Sequence, residues 1–398
     1  MASGLTALAM FPVATWLYLL AGRGGFWRAR GRLDGGPTAT RPDWPAVAAV
    51  VPARDEAEVI GASLASVLTQ DYPGPFAVVL VDAHSTDGTA AAAGRAARSV
   101  GRAERLGVVR ARPLPVGWSG KLWALSEGVA AADALAPGAR YLWFSDADIV
   151  HDPANLRRLV AEAEDGDRDL VSLMVLLSAR GFWERLLVPA FVFFFQKLYP
   201  FAWVGDPGRR TAAAAGGCIL LRRVALANAG GLAPIRGALI DDCALARRIK
   251  DVGRPGGGGR LRLCLTRSAR SVRPYRGLGG VWHMVARTAY AQLRHSPALL
   301  AGAVAGMALT YLLPPLLALT YPWHGEAAAA VLGLGAWALM AAAFRPTLRF
   351  YRQRPAALAP LLPLAALLYC AMTLDSARRH LRGRGGAWKG RVQARPAR

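Results

Sequence analysis

Two carboxylates, those of Asp146 and Asp148, are separated in the sequence by a single residue. They follow the apolar run Tyr141–Phe144 after one serine. Carboxylate oxygens are the ligands that Mg²⁺ and Mn²⁺ prefer, and few protein ligands suffice when phosphates and waters complete the shell. A cation held there would neutralise the charge of a departing diphosphate. A solvated acidic turn or a helix cap has the same pattern, so the pair alone leaves both interpretations open.

A second acidic pair, Asp241 and Asp242, opens a predicted helix that ends near Gly253. Either residue could cap that helix, because the helix dipole favours a negative charge at its start. The alternative is that one carboxylate acts as general base for an acceptor hydroxyl. Lys121 follows the flexible stretch Gly117–Gly120, which suits a phosphate or carboxylate ligand, although a solvated lysine in a turn has the same appearance.

Short β-branched runs alternate with helical patterns over residues 45–280, which predicts an α/β fold with a mostly parallel sheet. Strands are predicted at 47–51, 77–81, 108–110, 141–144 and 261–265. A helix is predicted to begin at Asp55, with Glu58 completing a capping box. Asp82 and Asp146 each follow a strand end. Because ligands of open α/β sheets bind outside the carboxyl ends of the strands, we expect both acids at one site.

Four uncharged apolar stretches are long enough, or nearly so, to cross a bilayer: residues 1–22, 297–323, 327–344 and 356–374. Arg23 and the arginines after it place the carboxyl end of the first stretch in the cytoplasm by the positive-inside rule. A cleaved signal peptide is the alternative, but no basic residue precedes Leu5. The 345–354 loop is also basic, so a complete last crossing would leave the basic tail outside. We therefore expect one C-terminal segment to re-enter or lie along the interface.

The predicted organisation follows from these features: a transmembrane anchor at 1–22, a basic linker at 23–44, the α/β domain at 45–280, an amphipathic interfacial helix at 281–296, transmembrane segments at 297–374 and a basic tail at 375–398. The formal net charge of +23 indicates an anionic partner. The basic clusters flank apolar stretches, so anionic membrane lipids are the expected partner and no nucleic acid is expected.

Four segments, in order, resemble the motifs of family 2 glycosyltransferases: 51–56, 81–89, 146–148 and 241–245. The resemblance implies a GT-A fold and inverting transfer of a sugar from a nucleotide donor, with a UDP-sugar expected. It implies that the donor is bound by Pro52, Arg54, Glu56, Asp82, Lys121 and Asp146. It further implies a Mg²⁺ or Mn²⁺ ion on Asp146 and Asp148, with Asp242 as catalytic base. Asp241 and Arg287 would serve the acceptor or phosphate side.

More narrowly, the chain is similar to the hopene-associated glycosyltransferases of hopanoid-producing bacteria in segments 117–124, 191–201, 274–279 and 388–391. That similarity implies a lipid acceptor. Ala83 departs from the family pattern by replacing a carboxylate near the nucleotide. Of the Q-x-x-R-W motif of processive members, only Arg287 matches, which favours a single-transfer enzyme over a polysaccharide synthase. A non-catalytic membrane scaffold that kept the fold is a further alternative.

Overall fold

The computed structural model describes residues 4–34, 41–255, 258–388 and 391–392. The chain forms two compact units. An α/β unit comprises Gly31–Ser178, Trp203–Pro274 and the chain from Ala387. A helical unit comprises the chain up to Arg30, Ala179–Ala202 and Tyr275–Gly386. The segment Ala179–Ala202 therefore interrupts the α/β unit in sequence and folds with the helical unit. The predicted domain at 45–280 includes this segment.

The strands are β1 (Val47–Ala53), β2 (Phe76–Asp82), β3 (Leu106–Arg110), β4 (Tyr141–Ser145), β5 (Ile149–His151), β6 (Leu170–Leu176), β7 (Cys218–Arg222), β8 (Leu261–Ser271), β9 (Ala387–Trp388) and β10 (Arg391–Val392). The first eight form one sheet in the order β3-β2-β1-β4-β7-β6-β8-β5. Strands β3, β2, β1 and β4 are parallel, whereas β7 is antiparallel to both β4 and β6. The predicted α/β class is confirmed, with a mixed sheet.

The helices are α1 (Gly4–Gly22), α2 (Ala57–Leu68), α3 (Thr89–Ser99), α4 (Gly120–Leu135), α5 (Asn155–Asp165), α6 (Phe182–Leu198), α7 (Phe201–Gly205), α8 (Arg223–Asn228), α9 (Asp241–Val252), α10 (Gly277–Ala286), α11 (Ala289–Gln292), α12 (Pro297–Met307), α13 (Leu313–Leu319), α14 (Tyr321–His324), α15 (Ala327–Phe350), α16 (Pro355–Leu358) and α17 (Leu362–Leu381). A π-helical segment, Ala308–Leu312, joins α12 to α13. The interfacial helix predicted at 281–296 corresponds to two short helices, α10 and α11.

The core of the α/β unit forms because β1 is apolar along its whole length and all seven of its residues are buried. Helix α4 lies very close to this sheet. A Cβ on Gly128 of α4 would come within 2.3 Å of Val50 Cγ1 and 2.9 Å of Val81 Cγ2. Only glycine allows that approach, and it sets the distance of α4 from β1 and β2.

Helix α2 begins differently from the prediction. Its N-cap is Glu56, whose own side chain makes no capping hydrogen bond, and the N–H of its first residue, Ala57, donates to Asp87 Oδ2 at 2.9 Å. Asp55 adopts a left-handed backbone conformation with φ of 50°, and its Oδ1 accepts a hydrogen bond from the backbone N–H of Thr86. The expected capping box with Glu58 is wrong because Asp55 is used to hold the loop after β2.

In the helical unit, four helical segments are long and apolar enough to cross a membrane: Gly4–Gly22, Pro297–Leu319, Ala327–Phe350 and Pro355–Leu381. They match the four stretches predicted from the sequence. Their mutual packing includes an edge-on contact between Trp16 and Tyr311, with ring centroids 5.4 Å apart. Phe193 and Phe194 of α6 pack inside this unit, against Phe344 and Tyr369 among others.

Candidate active site

The predicted acids at strand ends do meet at one edge of the sheet. In the parallel register, Ala53 of β1 pairs with Asp82 of β2, and Val50 pairs with Phe144 of β4. Asp82 and Asp146 therefore flank the carboxyl end of β1 on either side. Neighbouring strands lie about 4.8 Å apart, so the two acids are about two strand spacings from each other.

A small cavity of about 10 Å³ at this edge is lined by Lys121, Asp146, Asp241 and Asp242, with Pro52 on its β1 side. Lys121 comes from the first turn of α4 and the acidic pair from the first turn of α9. The Lys121 Nζ atom lies 2.8 Å from Asp146 Oδ1 and 3.6 Å from Asp241 Oδ2. Three segments far apart in sequence thus place a cation among three carboxylates.

Asp242 is held by backbone donors. Its Oδ2 accepts the N–H of Gly216 at 2.8 Å, and its Oδ1 accepts the N–H of Cys243 at 2.7 Å. A Cβ on Gly216 would lie 3.1 Å from Lys121 Nζ and 3.3 Å from Asp242 Oδ2. The N-cap of α9 is Ile240, so neither acid of the pair is the cap residue. Gly216 was missed by sequence reasoning, and its only signal is the small-residue run that precedes β7.

The cavity holds crowded, partly buried charges. Burial raises the pKa of Asp242 to about 6, and Asp241 adds to the rise while Lys121 opposes it. Burial also raises the pKa of Asp146, opposed by Lys121 and reinforced by Asp148. For Lys121, burial favours the neutral amine, but Asp146 and Asp241 outweigh it and raise the pKa above its usual value. Lys121 is therefore a cation that offsets the acidic groups.

Asp148 belongs to a second cluster beside the first. Its Oδ2 accepts a hydrogen bond from Ser271 Oγ at 2.6 Å and lies 3.4 Å from Arg273 Nε. Arg273 also pairs with the buried carboxylate of Glu56. Ser271, the last residue of β8, and Arg273 just beyond it were not predicted. Arg273 therefore links Asp148 to Glu56.

At the end of β2, Asp82 Oδ1 accepts the backbone N–H of Ser85 at 3.0 Å. Arg54 donates from Nη1 to the backbone carbonyl of Ala83 at 3.0 Å. Ala83 is itself buried and donates its N–H to the carbonyl of Ala53. At position 83 the family pattern has a second carboxylate. This chain has the methyl group of Ala83 there, and Arg54 bonds to the backbone carbonyl of the same residue.

A buried polar network lies behind the Asp146 turn. His151 Nε2 is 2.8 Å from Ser145 Oγ, and His151 Nδ1 is 3.1 Å from Asn155 Nδ2. Burial lowers the pKa of His151 to about 3, so the ring is neutral. Its Nδ1 then accepts from Asn155 and its Nε2 donates to Ser145, a tautomer assigned from these partners. The network positions the strand end that carries Asp146.

The oxygen donors present fit a hard divalent cation. Within the described residues, Asp146 Oδ2 and Asp148 Oδ1 make no hydrogen bond, so each acid keeps one oxygen for a ligand. No three His, Cys, Asp or Glu side chains of the described chain form a metal site by themselves. A cation here would need phosphate or water oxygens as well, which is the usual coordination of Mg²⁺ beside a diphosphate.

Residues 48–229 match the family model described as "Glycosyl transferase family 2". This range of the chain is similar to the glycosyltransferases of family 2. The motif segments at 51–56, 81–89 and 146–148 fall inside the matched range, whereas Asp241 and Asp242 lie beyond it. No curated protein matches the chain.

Several solved glycosyltransferase structures are similar to this chain. The mannosyltransferase PcManGT from Pyrobaculum calidifontis, in complex with GDP-Man and Mn²⁺, is 22% identical, with a TM-score of 0.51 over 95% of this chain and 99% of that chain. Glucosyl-3-phosphoglycerate synthase from Mycobacterium tuberculosis, in complex with Mn²⁺, UDP-glucose and phosphoglyceric acid, is 20% identical, with a TM-score of 0.38 over 62% and 84% of the two chains. S. aureus TarS 1–349 is 12% identical, with a TM-score of 0.38 over 88% and 97%.

One predicted site residue does not belong to the α/β unit. Arg287 belongs to the helical unit, where it follows the last residue of α10. Its proposed role on the acceptor or phosphate side of the glycosyltransferase stays a prediction. The GT-A fold expected from the sequence is confirmed.

Proposed function

We propose that the protein is a membrane-bound inverting glycosyltransferase that moves one sugar from a nucleotide-sugar donor, with a UDP-sugar expected, to a hydroxyl of a lipid. The observation that carries the proposal is the convergence of Asp242, Lys121 and Asp146 on one cavity at the carboxyl edge of the sheet. Four helical segments long and apolar enough to cross a membrane support a lipid acceptor.

In the proposed reaction, the Asp242 carboxylate accepts the proton of the acceptor hydroxyl. The hydroxyl oxygen bonds to the anomeric carbon as the bond from that carbon to the diphosphate breaks on the opposite face. One displacement inverts the configuration, so no second carboxylate nucleophile is required. The nucleoside diphosphate leaves, and the Lys121 ammonium is proposed to bind its negative charge.

Asp146 and Asp148 would hold the Mg²⁺ or Mn²⁺ ion, which when bound supplies neutralisation of the diphosphate charge. Lys121 already pairs with Asp146 Oδ1, so the ion would bind the other oxygen or take the place of the ammonium. Pro52, Arg54, Glu56 and Asp82 are proposed to bind the nucleoside part of the donor. Asp241 and Arg287 are proposed for the acceptor or phosphate side.

The proposed location is the cytoplasmic membrane, with the glycosyltransferase domain in the cytoplasm and anionic lipids at the basic clusters. This arrangement is supported by the arginines that follow α1 and by those between α15 and α16. The proposed product is a membrane glycolipid, and the hopanoids are one candidate acceptor class, supported by the segments at 117–124 and 274–279.

The direct test incubates the purified protein in detergent with a panel of nucleotide sugars, Mn²⁺ or Mg²⁺, and total bacterial lipid including hopanoids. Mass spectrometry should detect a new lipid that carries one added sugar, and chelation of the metal by EDTA should abolish it. A product with many sugars would establish a processive synthase instead. If no product forms and calorimetry also finds no metal-dependent binding of any nucleotide sugar, the scaffold alternative holds.

Replacement of the proposed base, Asp242→Asn, should lower the transfer rate by about 100- to 10,000-fold, the usual contribution of a general base. Donor binding measured by calorimetry should stay largely intact, since the amide keeps the shape of the carboxylate. Asp251→Asn on the exposed face of the same helix is the matched control and should transfer at the wild-type rate. Undiminished transfer by Asp242→Asn would refute the base assignment.

A further inference from the structure

A cleft of about 720 Å³ lies within the helical unit, and it shares no lining residue with the active-site cavity. Two segments supply its cations: Arg180 and Arg185 at the start of α6, and Arg352 and Arg354 between α15 and α16. We define these four side chains as the arginine cleft. All four are exposed residues.

The cations of the arginine cleft are not neutralised by protein carboxylates. No ion pair joins any of the four to an acid within the described residues. The carboxylates of the helical unit are Glu184, Glu326 and Asp375. Glu326 accepts from Thr6, and Asp375 pairs with Arg379, so neither is committed to the cleft.

Glu184 is the nearest acid in sequence, and its role is structural. It is 5% exposed, and its Oε2 accepts the backbone N–H groups of Arg180 at 2.8 Å and Gly181 at 3.2 Å. It thereby satisfies the start of α6 and leaves the guanidinium groups of Arg180 and Arg185 to the cleft. Four positive groups around one opening with a single acid buried behind them make a strong site for an anion.

Apolar side chains also line the cleft and point to a lipid. Phe182, Ala357 and Leu358 are among the lining residues, and the Phe182 side chain is 57% exposed. Arg352 and Arg354 connect Ala327–Phe350 to Pro355–Leu381, two of the four candidate membrane spans. If these segments lie in a bilayer, the connection between them lies at the depth of the headgroups.

We propose that the arginine cleft binds the phosphate group of an anionic membrane lipid, with the acyl chains along the apolar wall beside Phe182 and Leu358. Guanidinium groups suit this ligand because they can donate two parallel hydrogen bonds to one phosphate. The site requires that the helical unit lies in a membrane, but it does not require sugar transfer. Failure of the transferase proposal would therefore leave it standing.

The test titrates the detergent-solubilised full-length protein with dioctanoyl phosphatidylglycerol, and native mass spectrometry measures the bound fraction. The matched probes are dioctanoyl phosphatidylcholine and inorganic phosphate. Phosphatidylglycerol should bind more tightly than either. Arg352→Gln with Arg354→Gln should weaken its binding about 25-fold, because each arginine near an anionic lipid contributes a factor of about five.

Arg180→Gln with Arg185→Gln provides an independent variant on the other wall, in case the first pair disturbs the α15–α16 connection. It should weaken binding of phosphatidylglycerol to a similar extent. Arg382→Gln with Arg384→Gln changes the net charge equally at exposed positions outside the cleft and should leave binding unchanged.

Three outcomes would overturn the proposal. Equal weakening by the control pair would show that the attraction is diffuse. Equal binding of phosphatidylcholine would show that the headgroup charge is not recognised. Inorganic phosphate that binds as tightly as phosphatidylglycerol would make the arginine cleft a site for a soluble anion.

Discussion

The surroundings of Asp242 raise the pKa of its carboxyl group to about 6, close to the pH of the cell. Asp242 is partly buried, it adjoins a second acid, and its oxygens accept two backbone N–H groups. The burial and the like charge favour the protonated form, whereas the backbone donors and Lys121 favour the carboxylate. The result is a carboxyl group that gains basicity and stays mostly ionised at neutral pH.

The pH dependence of transfer should report this balance. A general base acts in its ionised form, and the pKa of Asp242 is raised to about 6. We expect kcat/KM to be constant above about pH 7 and to fall up to tenfold per unit below pH 6. A pH–rate profile at saturating metal measures this. The residual rate of Asp242→Asn should lack that fall, and a wild-type rate that stays flat to pH 4.5 would contradict the assignment.

Gly216→Ala should reduce transfer while the protein stays folded. The added Cβ would stand 3.1 Å from Lys121 Nζ and 3.3 Å from Asp242 Oδ2, so both groups would have to move. We expect kcat to fall about tenfold, since small misplacements of catalytic groups are costly. Gly61→Ala is the control: its Cβ meets nothing within 4 Å on α2, and it should raise stability by about 0.5–1 kcal/mol. Equal activity of both variants would contradict the prediction.

Much of the active site could be predicted at this scale. Asp146, Asp241, Asp242 and Lys121 were each selected from sequence, and they line one cavity. The positions that were missed act through geometry alone: Gly216 contributes a missing side chain and a backbone N–H, which no residue type reveals. Arg273 was missed because its partners, Glu56 and Asp148, come from distant segments.

Helix α9 has a second function besides its acidic first turn. Lys250 in its last turn is buried and donates from Nζ to three backbone carbonyls, those of residues 204, 206 and 211 at 2.8–3.0 Å, and the carbonyl of residue 203 lies 3.5 Å away. One ammonium group thus donates hydrogen bonds to the end of α7 and to the loop that follows it. The loop continues through the small residues 212–215 to Gly216, which donates its N–H to Asp242. Helix α9 therefore carries Asp242 in its first turn and, through Lys250 in its last turn, holds the loop that leads to the donor of Asp242.

Lys250→Met should loosen that loop and lower stability. The methionine keeps the apolar stem but leaves three carbonyls without their shared donor, so we expect a loss of about 2–4 kcal/mol. Thermal unfolding measures the loss, and amide hydrogen exchange should quicken over residues 203–211. Arg95→Met, at an exposed position on α3, is the control and should change neither. Unchanged exchange in the Lys250 variant would refute this role.

At the level of elements, the parallel half of the sheet was predictable and the antiparallel half was not. Strands β1 to β4 alternate with helices, so their order and direction follow from the short connections. Strand β7 pairs antiparallel to both β4 and β6. Residues 177–217 separate β7 from the end of β6, and no motif within them marks its direction. Long-range pairing of this kind is set by tertiary packing, which local patterns do not contain.

The helical unit bears on how the whole chain lies in a membrane. Near the end of α17, Asp375 accepts from Trp282 Nε1 of α10 at 2.8 Å, and Ser376 Oγ accepts the N–H of Tyr290 of α11 at 3.0 Å. Helix α10 follows directly on the α/β unit in the chain, so the end of α17 lies on the side that we propose to be cytoplasmic. Arg354 precedes α16, and the positive-inside rule predicts that this arginine also lies on the cytoplasmic side.

We therefore expect Pro355–Leu381 not to cross the bilayer, with the basic tail in the cytoplasm. Half of its apolar window is buried inside the protein, against 11–33% for the other three segments, which fits a helix covered by protein. A fluorescent-protein fusion at the C-terminus should fluoresce, and an alkaline phosphatase fusion there should be inactive. Fusions after Gly325, at the opposite end of α15, should give the reverse. An active phosphatase at the C-terminus would establish a fourth crossing.

Helix α6 sets a limit on how the protein can be prepared. It is inserted between Ser178 and Trp203, so both of its ends continue into the α/β unit. Cutting away the first 30 residues and everything after Pro274 would strip Phe193 and Phe194 of their aromatic neighbours Phe26, Phe344 and Tyr369 while leaving the helix in place. Trimming the termini alone would thus yield an aggregating fragment, and a detergent-free enzyme would also require redesign of that internal helix.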